Sequence, residues 1–167
     1  MICLDNTALM CLMRRPLGDP HRQYQQDVID YCDRVLRSGD EIAVPTPVVA
    51  EFITRYPHED EANEAERALR ESGFLFLDFD FPCAALCARL AYRGDPNRGM
   101  LGLSKELNYN KQSLKVDLQI ASIAIYHRAS AIVTGDERFQ SLCDRLRASG
   151  ISLLCHLLAD VQQLSID

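Results

Sequence analysis

Several features that would narrow the class of this chain at once are missing from it. No apolar run approaches the roughly 18 residues that a membrane-spanning helix needs, so no membrane association is expected. The first residues, MICLDNTALMCLM, are apolar, but no basic stretch precedes them and Asp5 interrupts them, a poor match to a secretory signal. A cytoplasmic location is the expectation. The seven cysteines (Cys3, Cys11, Cys32, Cys83, Cys87, Cys143 and Cys155) are odd in number and include no C-x-x-C pair, which disfavours both a disulfide framework and zinc-ribbon spacing. Most stand among Leu, Ile and Ala, where a free thiol packs as a small hydrophobe, and all are expected in the core. There is no internal repeat, no low-complexity tract and no linker that would split the chain. A single domain over residues 1–167 follows, long enough to bury a full core.

An excess of positive charge is also missing. The formal net charge is −6, whereas a general polyanion binder is expected to be basic. This leaves two readings open: no nucleic-acid partner, or acids concentrated in a cation site with basic residues placed locally around it.

What is present is an alternation of short apolar runs with helical periodicity. Strands are expected at residues 1–4, 41–44, 74–77, 131–133 and 151–155. Helices are expected at 8–13, 24–36, 47–57, 59–72, 80–92, 116–127 and 137–148, with Pro47 suited to a first helical position. Residues 14–19, with Pro16 and Gly18, read as a loop. Residues 94–113, rich in Gly and Asn, read as the longest irregular stretch, and such loops are often functional. The pattern predicts a three-layer α/β/α sandwich around a mainly parallel five-stranded sheet.

In such sheets ligands bind outside the carboxyl ends of the strands. Asp5 follows the first strand and Asp136 the fourth. Glu51 lies on the helix after the second, and Asp117 heads the helix that feeds the fourth. Each has a plain alternative: Asp5 and Asp136 as helix caps, Asp117 as a first-turn acid that suits the helix dipole, Glu51 as a solvated residue. Their joint placement at one edge favours a site. Clustered carboxylates repel one another unless a cation neutralises them, and hard oxygen donors favour Mg²⁺ or Mn²⁺ over zinc.

The segments LDNTAL (4–9), PTPVVAEF (45–52) and DLQIASIAIYHRASAIVTGD (117–136), with the ERF that follows, resemble the PIN-domain nucleases, and most of all their VapC-like toxin branch. The matches run in order over residues 2–139. The resemblance implies a metal-dependent ribonuclease with Asp5, Glu51, Asp117 and Asp136 as its acidic set. Asp5, Asp117 and Asp136 are then the direct metal ligands, and Asn6 and Thr134 support them. That family usually has Ser or Thr after the first Asp and then often Asn; here Asn6 precedes Thr7. It also implies an RNA substrate, an antitoxin partner and a homodimer. The helices at 47–57 and 59–72 are the candidate contact surface for a partner or second subunit.

Substrate contacts are expected from basic groups, with Lys115, Arg14 and Arg15 foremost and Arg93, Arg98, Lys105 and Lys111 behind them. Tyr109 is a candidate either to stack on an unpaired base or to pack its loop down. Two other classes remain on the sequence: a non-catalytic PIN-like module that binds RNA or protein, and a receiver- or phosphatase-like domain with a phospho-accepting Asp5. The helix-borne Glu51 and Asp117 do not fit the last.

Overall fold

The strands are short, and the three central ones are buried throughout. A computed structural model describes residues 1–13, 22–95 and 97–163 of the chain. Its central strands are β1 (Ile2–Leu4), β2 (Ile42–Pro45) and β4 (Ala131–Thr134), and every residue in them is buried. Outside them run β3 (Leu75–Leu77) and β5 (Leu154–Leu157), which are partly exposed as edge strands. The order is β3-β2-β1-β4-β5, and every pairing is parallel. Ile2 lies opposite both Ile42 and Ala131, so the N-terminal strand is central.

The helices are α1 (Asn6–Leu12), α2 (Gln25–Arg37), α3 (Thr46–Ile53), α4 (Glu59–Glu71), α5 (Phe81–Gly94), α6 (Met100–Glu106), α7 (Lys111–Tyr126) and α8 (Glu137–Ala148). From β1 the chain steps outward through β2 to β3, then crosses back to β4 and β5. Right-handed crossovers therefore put α1–α4 on one face and α5–α8 on the other. The packing agrees: α1 contacts α2 and α3, while α5 contacts α6, α7 and α8. This is the α/β/α sandwich expected from the sequence, with a sheet that is parallel throughout. The core joins both layers, with Phe52 from α3 and Leu114, Leu118 and Ile123 from α7 fully buried. All seven cysteines are free thiols, and each is buried except the partly exposed Cys155.

Among the boundaries that differ from expectation, α3 stops at Ile53, four residues short of 57, and three others differ for a local reason. Residues 94–113 are mostly helical, holding α6 and the first turn of α7. Their Gly and Asn residues act as punctuation. Gly99 enters α6 at φ +53°, Asn108 leaves it at φ +51°, and the Asn110 side chain accepts from the Gln112 amide at 2.8 Å to cap α7. Gly102 is there for space: a Cβ on it would lie 1.6 Å from a carboxylate oxygen of Asp95. Second, α7 begins at Lys111, so Asp117 stands in its second turn and not at its head. Third, β5 starts at Leu154. The Ile151 amide is still bonded to the Leu146 carbonyl at 3.2 Å, closing the end of α8 before the chain extends.

Candidate active site

The sheet order reverses at β1, and the carboxyl ends of β1 and β4 frame that switch point. Asp5 follows β1 and caps α1. Its Oδ1 accepts from the Ala8 amide at 2.8 Å and the Thr7 hydroxyl at 2.7 Å. Its Oδ2 accepts from the Thr134 hydroxyl at the end of β4. The Thr134 oxygen accepts in turn from the Asp136 amide at 2.9 Å, and the Thr7 hydroxyl accepts from the Gly135 amide. Two threonines thus stitch the loop after β1 to the loop after β4. Asp136 caps α8 by accepting from the Arg138 amide at 2.8 Å, and its carboxylate meets the Arg138 guanidinium at 3.3 and 3.4 Å. The capping roles of both acids are real, and both also line a cavity.

The other two acids stand on helices. Glu51 on α3 is half exposed and pairs with Arg55, one turn further on, at 2.9 Å. Asp117 on α7 accepts on Oδ2 from the Tyr109 hydroxyl at 2.6 Å. A cavity of about 670 Å³ opens between α3, α7 and the strand ends, and Asp5, Glu51, Asp117 and Asp136 all line it.

The electrostatics record this convergence. The Asp5 carboxyl is pushed up to about 6, mainly by burial, against its bonds from Thr134, Ala8 and Thr7. Asp117 is pushed up to about 7. Burial is the largest cause; the Tyr109 bond opposes it, and repulsion from Asp136, Asp5 and Glu51 adds to it. The fields of all the other acids therefore meet at Asp117.

Among the described residues, no three His, Cys, Asp or Glu side chains converge closely enough to hold an ion by themselves. The donor set nevertheless fits a hard cation that keeps much of its water shell and takes one or two carboxylates directly, as Mg²⁺ does. Among the described residues, Asp117 Oδ1 and Glu51 Oε2 have no protein partner, so each has capacity to spare. Asn6, at the cavity, is 4% exposed, and its side-chain nitrogen and oxygen have no hydrogen-bond partner among the described residues. Such an orphaned amide is a cost that a bound polar group would remove.

The basic candidates are placed differently from the acids. Arg14 and Arg15 lie outside the described residues. Lys115 is exposed and lies outside the cavity lining, with its charge felt by Cys87 on α5. Two residues before Asp117 on a helix is more than half a turn away, which turns it from the acid. Among the described residues, the cations that do line the cavity are Arg55 and Arg138, neither of them singled out by the sequence. Their positions four residues after Glu51 and two after Asp136 were the available signal. Tyr109 is 5% exposed with its hydroxyl committed to Asp117, so it packs inward and offers no stacking face.

Parallel strands with an acidic cavity at their switch point define an α/β protein built to bind at the carboxyl edge of its sheet. The family model of the PIN domain matches residues 2–144, and the chain belongs to that family. Among solved structures it is similar to one described as the crystal structure of VapBC2 from Rickettsia felis bound to a DNA fragment from their promoter. The TM-score is 0.57 at 16% identity, over 94% of this chain and 98% of that one. At that identity the likeness speaks for the fold. None of the curated proteins compared with the chain matches it.

Proposed function

We propose that this chain is a metal-dependent ribonuclease that hydrolyses RNA phosphodiester bonds, and that it is the toxin of a toxin–antitoxin pair. The observation that carries the first part is the meeting of Asp5, Glu51, Asp117 and Asp136, from four separate elements, on one cavity of a PIN-domain chain. The second part draws on the similarity to a VapBC2 structure and on the VapC-like motifs. A homodimer and a cytoplasmic location belong to the same reading. Among the described residues no helix is long and apolar enough to cross a membrane.

A bound Mg²⁺ or Mn²⁺ supplies Lewis acidity, which eases deprotonation of water and offsets charge on the phosphate. Asp5, Asp117 and Asp136 are the residues that would hold it, one or two of them directly and the rest through its water. Asp5 is immobilised by three donors, so it presents a fixed charge. Glu51, on the more open wall, keeps Oε2 available to accept a proton from the attacking water. Arg55 and Arg138 stand on the cavity wall, where a guanidinium can take a phosphate bidentately.

The test is a single-stranded RNA of defined sequence incubated with the chain in Mn²⁺, in Mg²⁺ and in EDTA. Cleavage in either metal that stops in EDTA and in Asp117→Asn supports the reading; cleavage indifferent to both sinks it. For the toxin role, the adjacent reading frame should encode a small DNA-binding protein that blocks the cleavage. One observation favours a second reading, a non-catalytic PIN-like module. Every acid of the set already has an internal partner, and two of those partners are arginines. A chain that binds RNA but takes up no Mn²⁺ would select it.

A further inference from the structure

Asp117 is where the repulsion of the acidic set concentrates, and Tyr109 is the residue that touches it. Tyr109 comes from the turn between α6 and α7, eight residues ahead of its acid. That turn is built around it. The Tyr109 amide donates to the Ser104 carbonyl at 2.8 Å, and the Ser104 hydroxyl donates back to the Tyr109 carbonyl at 2.8 Å. Ser104 is itself buried, so both backbone groups of Tyr109 are pinned from inside α6. Asn108, with φ +51°, supplies the left-handed step that returns the chain toward α7. On the cavity side, the Arg138 guanidinium lies 5.6 Å from the centre of the Tyr109 ring while pairing with Asp136. Tyr109 and Arg138 together join Asp117 to Asp136.

We propose that Tyr109 is a positioning residue of the metal site, resting on the ribonuclease reading above: its hydroxyl fixes Asp117 by one oxygen and leaves the other for the cation. Two consequences distinguish this from ordinary packing. A carboxylate free to rotate among three repelling neighbours turns away from them, and a bond of 2.6 Å to a rigid phenol prevents that. With Oδ2 occupied, Asp117 offers a single oxygen, which suits a cation that keeps its remaining positions for water and phosphate. The helix and turn of residues 97–110 then serve the acidic site from behind.

The experiment is a calorimetric titration with Mn²⁺ at one fixed pH, alongside thermal melts in EDTA. It compares the parent chain with Tyr109→Phe, Ser104→Ala and Asp117→Asn. Tyr109→Phe keeps the ring and its contact with Arg138, and is expected to melt with the parent in EDTA. Its Mn²⁺ affinity should fall roughly ten- to a hundredfold, the usual effect of removing a partner that orients a metal ligand. On RNA, its kcat should fall while KM for the RNA stays within about twofold, since an interaction lost at the reacting centre alone leaves ground-state binding intact. Ser104→Ala, which keeps the phenol but frees its backbone, should show a smaller loss in the same direction. It also carries the test if the Phe variant does not fold. Mn²⁺ binding by Tyr109→Phe equal to or tighter than the parent's overturns the inference and leaves the ribonuclease reading standing. Undiminished Mn²⁺ binding by Asp117→Asn removes Asp117 from the metal site and the inference with it.

Discussion

The acidic cavity has two kinds of wall. Asp5 and Asp136 stand at strand ends, tied by backbone amides and by two threonines into a lattice that spans β1 and β4. Glu51 and Asp117 stand on helices, each oriented by a single side chain, Arg55 or Tyr109. On the first wall the peptide geometry that makes the fold also makes the site. On the second, helix packing brings the acid near and a separate residue aims it. Changes at the first wall should therefore disturb fold and chemistry together, and changes at the second should separate them.

The largest expected effect breaks the chemistry on both walls equally. Asp5→Asn and Asp117→Asn should each reduce metal-dependent RNA cleavage to background in a gel assay, and Asp117→Asn should do so with circular dichroism unchanged. Full activity in both would end the proposal.

Next comes pH. Asp5 and Asp117 keep their protons up to about 6 and about 7 in the folded chain, against roughly 4 in an unfolded one. The folded state therefore binds more protons through this window. The contribution of these groups to stability is best at or below pH ~4 and declines as pH rises to about 7. This is opposite in sign to carboxylates that are favourably paired. For Asp5 the decline is about 2–3 kcal/mol on the scale of 1.4 kcal/mol per decade. Chemical denaturation in EDTA between pH 4 and pH 8 should show it, and Asp5→Asn should flatten the profile. A profile equally steep in Asp5→Asn would remove Asp5 as its source.

Thr134→Val tests the lattice itself. It deletes a fully buried hydroxyl that donates to Asp5 and accepts from the Asp136 amide. A loss of about 1–3 kcal/mol is expected in urea, from groups left unpaired. The matching change on the other wall should be nearly silent in stability. Arg55→Ala breaks an ion pair whose members are both more than 40% exposed, and such pairs contribute about 0–1 kcal/mol. Its effect should appear instead as weaker RNA binding that is steeper in the parent's salt dependence than in the variant's. Equal losses of stability in Thr134→Val and Arg55→Ala would erase the distinction between the walls.

The same distinction explains what could be read from the sequence. DNT after an apolar run and TGD after another are local signatures, and the lattice uses those residues as caps and turns, so Asp5, Thr134 and Asp136 were legible. Glu51 and Asp117 were legible as acids on helices, through the run of matching segments. The residues that orient them were not. Tyr109 sits in a stretch whose Gly and Asn content read as irregular, although Gly102 is there to let α6 approach Asp95. Arg138 was read only as part of the matching ERF segment, with no role of its own, and Lys115 drew attention by proximity along a helix that in fact turns it away. Composition records conformational freedom and charge; it does not record which side chain reaches across a turn.

The stitch between Thr134 and Asp5 also has a consequence in time. It joins residues 129 positions apart, and β1 has one open flank until β4 pairs with it. During synthesis, the ribosome must have made residues 5–136 before Asp5 meets Thr134, Asp117 and Asp136. Under the ribonuclease reading, a nascent or prematurely ended chain carries two of the acids on its first strand-end and α3, with no partner loop to assemble them. Catalytic competence would then wait until β4 and the loop after it have left the ribosome and paired with β1.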